Sequence, residues 1–309
     1  MKKLINNLKK KILILGCSGY VGQNLSFHFR NEFPNLTLWG VCRKSFFNSN
    51  FDKIKLCDLK EKKRLEKIVF DLNPNVIIYL VSVKKGSMQE ILINNNLPLI
   101  NLFQILMKIK KNSPQCIIVG SASEFGKNEK KNNEFNEQFI PISDYGIAKT
   151  LNYKLFKLFS LKKKLKLVYS RFYNFIGPNM PTKTFPRDCY EKLLLIKKKK
   201  SNYISFYNIK EYLDFIDIRD ACLGIVQIIK KNIKNKVLNI SYGKSVQLRE
   251  IFKIMKTQMH LDKIKIKKIK NNSNPINSFS SNKYTKKLLN WKPKIKIEDS
   301  INDLRSSIK

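Results

Sequence analysis

Histidine, acidic residues and long apolar runs are all scarce in this chain of 309 residues. The two histidines, His28 and His260, stand far apart and away from any cluster of acids or thiols. Transition-metal sites need several such ligands at short spacings, so no metal site is expected. The six cysteines, at 17, 42, 57, 116, 189 and 222, include no CxxC pair. A thioredoxin-like motif and a disulfide framework are thereby excluded. Cys42, Cys57, Cys116 and Cys222 lie in apolar surroundings and read as reduced core thiols of a cytoplasmic protein. No apolar stretch approaches the roughly 20 residues of a membrane-spanning helix. Lys2, Lys3 and Lys9 to Lys11 precede the apolar run Ile12–Leu15, as in a signal peptide. That run is too short and stops at Gly16, so it reads as a first strand.

Acids number 23 against 61 Lys and Arg, a net charge of +38. Such an excess can mark a nucleic-acid or acidic-membrane surface. Here it is nearly all lysine, accompanied by much Asn and Ile. It is scattered, with short runs at 162–164 and 197–200. We read it as a solvated surface, not a nucleic-acid site, although it favours anionic ligands in general.

Against these absences stand 43% hydrophobic residues, enough for a sizeable core. The first half alternates apolar runs and helical patterns. Strands are expected at 11–15, 36–41, 53–56, 75–81, 116–120 and 165–170, and helices at about 20–32, 61–72, 89–109 and 143–161. This alternation predicts an α/β fold, a Rossmann-type doubly wound parallel sheet with helices on both faces. Beyond Arg171 the pattern loosens: a helix near 189–198, a strand at 237–240, a helix at 247–259 and two short helices in the tail. We expect residues 1–175 to form the dinucleotide-binding domain, rejoined by a segment at about 213–241. Residues 176–212 and 242–309 are expected to form a smaller substrate-binding domain.

Gly16-Cys17-Ser18-Gly19-Tyr20-Val21-Gly22 follows the first strand directly. In GxxGxxG the first glycine permits the tight turn, the second lets backbone approach phosphate, and the third lets helix meet strand. Ser18, Tyr20 and Val21 share this cradle for a dinucleotide pyrophosphate. The end of the second strand distinguishes cofactors, because an NAD site usually offers a carboxylate there to the ribose 2′-OH. This chain has Arg43 and Lys44 instead, which favours the 2′-phosphate of NADP(H), with NAD(H) the alternative. In Tyr145-Gly146-Ile147-Ala148-Lys149, a phenol and an ammonium one helical turn apart share a face. A neighbouring ammonium and an oxidised nicotinamide are expected to lower the Tyr145 pKa from its usual value of about 10.

With Ser121 between them, these segments resemble the extended short-chain dehydrogenase/reductases of the NAD-dependent epimerase/dehydratase family. The resemblance is strongest to GDP-4-keto-6-deoxy-mannose reductases. It extends to Ser121–Gly126, with Phe125 at the usual Tyr position, and to Arg171–Pro178, Leu213–Asp220, Leu238–Gly243 and Asn290–Pro293. It implies that Ser121, Tyr145 and Lys149 are catalytic. Tyr145 would exchange a proton with a sugar oxygen that Ser121 orients, and Lys149 would also hold the nicotinamide ribose. Asp58, with Leu59, would contact adenine, while Ser123 and Asn174 would contact a nucleotide-sugar substrate.

Departures from the family narrow the reaction. Sugar-nucleotide 4,6-dehydratases carry an acid just after the catalytic hydroxyl residue, where this chain has Ala122 and Ser123. GDP-fucose synthases use a Cys and a His where it has Ser123 and Asn179. Hydride transfer at C4 is left: a ketoreductase, favoured by Arg43 and Lys44, or a 4-epimerase retaining NAD. Leu213 replaces an Arg that grips the nucleotide phosphates, and an Arg expected near Asn274–Pro275 is missing; Lys210 could compensate for the first. A non-catalytic RNA-binding relative and an NADP sensor are the competing classes, and the intact Ser121, Tyr145 and Lys149 argue against the former. Relatives pair through the helix bearing YxxxK, so a homodimer is expected, with no membrane partner.

Overall fold

Strands buried on both faces should be largely apolar, and the runs 12–15, 76–79 and 116–119 are. In the computed structural model, residues 10–127, 131–162, 165–201, 203–206, 209–261, 264–268 and 277–308 are described. Lys2, Lys3, Lys9, Lys163, Lys164 and Asn274–Pro275 lie outside them.

The chain runs β1 (Lys10–Leu15), α1 (Tyr20–Glu32), β2 (Leu36–Cys42), β3 (Lys53–Leu56), α2 (Lys62–Leu72), β4 (Val76–Tyr79), α3 (Met88–Lys108), β5 (Gln115–Ser121), α4 (Asp144–Ser160) and β6 (Lys166–Phe172). It continues through β7 (Asn174–Ile176), α5 (Phe185–Lys197), β8 (Tyr203–Phe206), β9 (Tyr212–Asp217), α6 (Ile218–Lys230) and β10 (Lys236–Ile240). Last come β11 (Ser245–Gln247), α7 (Leu248–Gln258), β12 (Lys265–Lys268), α8 (Lys283–Leu289) and α9 (Ile297–Ser306).

Seven parallel strands form one sheet in the order β10-β6-β5-β4-β1-β2-β3. The order reverses between β1 and β4, and ligands in such sheets bind beyond the carboxyl ends of the strands at that switch point. Alternation within β1 shows the double winding. Ile12 and Ile14 pack with Leu25 and Phe29 of α1 and with Ile225 and Ile229 of α6. Leu13 and Leu15 face the opposite layer, with Leu65 of α2, Leu102 and Phe103 of α3 and Phe156 of α4.

A three-stranded sheet, β11-β9-β7, and the pair β12-β8 lie outside the large sheet. With α5, α7 and α9 they enclose a separate apolar cluster around Ile176, Leu193, Phe206, Ile251 and Leu304. The acids of Leu213–Asp220 tie this part down. Asp214 accepts from the Tyr242 and Gly243 amides (2.9 and 2.8 Å) and from Ser280 Oγ (2.6 Å). Asp217 accepts from Ser300 Oγ at 2.7 Å, and Asp220 from the Lys294 and Ile295 amides, both at 2.8 Å. The later segments that resembled family motifs are therefore joined by buried carboxylates.

In the first half the expected elements differ from the observed ones by two residues at most. The helix expected near 189 begins at Phe185, because Pro186 occupies its first turn, where a missing N–H costs nothing. The sequence reading omitted α6 and the short strands β7, β8, β9, β11 and β12.

Candidate active site

Each strand of the switch region ends by delivering something to one cleft of about 960 Å³. After β1, Gly16 sits at φ +90°, the left-handed region that glycine adopts without strain. A Cβ on Gly22 would come within 2.5 Å of the Cys17 carbonyl oxygen, so that position needs glycine for helix and loop to meet. At Gly19 a Cβ would meet only the Gly16 carbonyl, at 3.5 Å, so this face is open. Gly19 is also the N-cap of α1, with no side-chain cap. The first-turn amides thus face the cleft beside open backbone, an arrangement that fits a dinucleotide pyrophosphate. Ser18, Tyr20 and Val21 line the same stretch, and Tyr20 Oη donates to the Pro178 carbonyl at 3.0 Å.

Arg43 lines the cleft at the end of β2, with Asp58 and Leu59 beyond β3. Lys44 is exposed and is not among the lining residues. Of the expected cation pair only Arg43 therefore borders the cavity, and the Lys44 carbonyl accepts from Cys42 Sγ at 3.1 Å.

Past β4 the segment Leu80–Lys85 forms one wall. Buried Asn95 of α3 fixes it: its Oδ1 accepts from the Val83 amide at 3.1 Å and its Nδ2 donates to the Val83 carbonyl at 2.8 Å. Ser82 Oγ donates to Tyr145 Oη at 3.2 Å, and Lys84 Nζ lies 5.0 Å from the centre of the Tyr145 ring. Although Lys84 opens onto the cleft, the enclosing walls keep its ammonium from bulk water and lower its pKa.

Ser121 ends β5 and caps a single 3₁₀ turn. Its Oγ accepts from the Ser123 amide and donates to Ser123 Oγ, both at 3.1 Å. Its hydroxyl also stands close enough to the Tyr145 phenol to act on its pKa, so the capping residue and the site residue are one and the same. Beneath it lies fully buried Glu124. Glu124 Oε1 accepts from the Ser121 amide and from Tyr169 Oη, each at 2.7 Å, and its Oε2 accepts from Arg171 Nε at 2.9 Å.

The turn before α4 ends at Ser143, whose Oγ accepts from the Gly146 amide at 3.1 Å and so sets the start of the YxxxK helix. Buried Lys149 donates to the Val81 and Val119 carbonyls at 3.0 and 3.1 Å, which bridges the ends of β4 and β5. Burial lowers its pKa from 10.5 to about 8; Glu124 opposes the change and Lys84 adds to it. Burial pushes the Tyr145 pKa up in the free site, and the hydroxyls of Ser82 and Ser121 beside the phenol only partly offset that. The Lys149 ammonium is 5.8 Å from the ring centre, with two of its protons committed to carbonyls.

Asn174 lines the cleft, and its Nδ2 donates to the Asp214 carbonyl at 3.2 Å. Leu213 presents an apolar surface where a guanidinium was expected, and Lys210 is not among the lining residues. Lys84, Lys85 and Lys183, which do line it, went unread in the sequence, as did Ser82, Asn95 and Glu124. For Ser82, Lys84 and Lys85 the signal is position: they lie just past the end of β4, as Ser121 ends β5.

A profile of the family described as NAD dependent epimerase/dehydratase matches residues 12–241. A GDP-6-deoxy-D-talose 4-dehydrogenase of Aggregatibacter actinomycetemcomitans is 21% identical, over 82% of each chain. A UDP-glucose 4-epimerase of Thermotoga maritima, solved with UDP-glucose, superposes with a TM-score of 0.85 at 19% identity, covering 96% of this chain and 98% of the other. A dTDP-glucose 4,6-dehydratase of Bacillus anthracis, solved with NAD, gives 0.84 at 15% identity, covering 96% of each.

Proposed function

The chain belongs to the NAD dependent epimerase/dehydratase family, and on that premise we propose that it reduces a nucleotide-linked 4-keto-6-deoxy sugar at C4. The observation that carries this reading is the junction of Ser121, Tyr145 and Ser82 above buried Lys149, at the open end of the glycine cradle. A reduced nicotinamide held by the glycine cradle would supply the hydride. Tyr145 donates the proton to the nascent alkoxide, and its raised pKa keeps that proton in place through neutral pH. Ser121 holds the reacting oxygen against the phenol, while Lys149 fixes the two strand ends beneath it. Ala122 and Ser123 provide no acid for elimination, and a 4-dehydrogenase of GDP-6-deoxy-D-talose, run in reverse, is a reduction of this kind.

NADP(H) is the proposed cofactor, from Arg43 and the lack of a carboxylate at the end of β2. The deciding assay is oxidation of NADPH or NADH with GDP-, CDP-, UDP- and dTDP-linked 4-keto-6-deoxy sugars. Turnover with one of them, faster with NADPH, is the expected result. No turnover, together with NAD retained through purification, would make the protein a 4-epimerase, since the same three side chains serve oxidation and re-reduction.

A pH dependence follows from Lys149. As pH rises through about 8, its ammonium loses the charge that faces the phenol. The kcat/KM for reduction should therefore hold level below that pH and fall above it, with a limb belonging to the Tyr145–Lys149 pair. A profile flat to about 10.4, where a free lysine titrates, would refute this.

A homodimer is part of the same proposal. Ile93 and Leu97 on α3 and Leu151 and Leu158 on α4 are exposed apolar side chains on two helices that pack together. A second copy would cover them, and light scattering at micromolar concentration should give twice the monomer mass.

A further inference from the structure

We propose that Lys85 and Lys183, one from each wall of the cleft, clamp the diphosphate of the nucleotide-linked substrate. The inference rests on the nucleotide-sugar reading above and assigns the anion contact that Leu213 cannot make.

Cations dominate the lining. Arg43, Lys84, Lys85, Lys149 and Lys183 border the cleft, and among the described residues Asp58 is the only acid that does. Three of the five have another place. Arg43 stands at the end of β2, by the far end of the cofactor cradle. Lys149 is committed to the Val81 and Val119 carbonyls, and Lys84 lies over the Tyr145 ring. Lys85 and Lys183 are left.

They come from different parts of the fold. Lys85 follows β4 on the segment that Asn95 fixes, whereas Lys183 lies between β7 and α5, across the cleft. Lys183 has φ +67°, a left-handed conformation that long side chains seldom adopt and that tends to persist where a site requires it. Both side chains are exposed and border the same cleft, and the like charge of Lys183 lowers the Lys85 pKa. Two like charges that border one space with no carboxylate between them favour an anion there. A diphosphate has the charge and the span to answer both at once, and in doing so would join the two walls. A monophosphate could satisfy them less fully, and a free sugar not at all.

The test is calorimetric titration of the full chain, loaded with NADPH, with UDP, GDP, CDP and dTDP and with the corresponding monophosphates. Wild type is compared with Lys85→Met, Lys183→Met and the double variant, which remove charge from exposed side chains and keep their length. The best-bound diphosphate should lose about tenfold in affinity in either single variant. The loss should shrink as salt rises, because exposed charges are screened. The monophosphate should lose less, and NADPH affinity should be unchanged. Equal diphosphate affinity in all four proteins would overturn the clamp and leave the nucleotide-sugar reading standing. A loss of NADPH affinity instead would assign the lysines to the cofactor and also overturn it. If wild type bound no nucleoside diphosphate, the reading and the clamp would fall together.

Discussion

Tyr145→Phe should lower turnover about 10³-fold while NADPH binding and the melting temperature stay close to wild type. The ring fills the same space, so what is lost is the phenolic proton, its hydrogen bond with Ser82 and its place beside the Ser121 hydroxyl. Removing one such group typically costs about 1 kcal/mol of stability. No other group is placed to replace it. Lys84 approaches the ring face, Lys149 is engaged with two carbonyls, and the Ser121 and Ser82 hydroxyls are too weakly acidic to donate at neutral pH. Ser121→Ala should cost less, on the order of tenfold to a hundredfold, because it orients the oxygen without giving up a proton. Reduced-nicotinamide absorbance measures the first quantity, and quenching of protein fluorescence on adding NADPH measures cofactor affinity. A Phe variant retaining a tenth of wild-type activity would remove Tyr145 from the proton path.

The parts of this site that could be read in the chain are those whose chemistry lies in local spacing. GxxGxxG after an apolar run needs only a strand and a helix to become a cradle, and YxxxK needs only one helical turn. Lys183 and Lys85 are different. In a chain with 61 basic residues a lysine that faces the cleft has no contrast with those that face water. The contrast appears only when β4 and the segment after β7 are brought to opposite sides of the same space. Lys44 shows the converse: beside Arg43 in sequence, it is not among the residues that line the cleft. The three-residue strands β7 and β11 are too short to carry a periodicity, and their place is set by pairing with β9. Three acids within Leu213–Asp220 were visible as a motif, but the segments each one holds, from Tyr242 to Ser300, come from distant sequence.

Glu124 is the clearest residue of this kind, and Glu124→Ala should cost about 3–5 kcal/mol of stability, or a melting temperature about 10 °C lower. It lies three positions after Ser121, in a polar stretch that suggests a surface turn. Its partner Arg171 comes from β6, and both side chains are fully buried. The guanidinium donates through Nε to Glu124 and through Nη1 to Asn239 Oδ1 at 3.2 Å, and sits 4.6 Å from the Phe125 ring centre and 5.3 Å from that of Tyr153. Without the carboxylate, a full positive charge would remain in this enclosure with only the Asn239 amide oxygen and aromatic faces to answer it, and the Ser121 amide and Tyr169 hydroxyl would lose their acceptor. Activity should fall as well, because that amide fixes the position of the Ser121 hydroxyl. Charge and shape can be separated. Glu124→Gln keeps an acceptor but not the charge and should fall between wild type and Ala. Glu124→Ala with Arg171→Met removes both charges and should recover much of the lost stability without recovering activity. Calorimetric melting of the four proteins decides the matter. If Glu124→Ala melts with wild type, the buried pair does not anchor the floor of the site. If the double variant is no more stable than Glu124→Ala, the loss comes from packing and not from an unanswered charge.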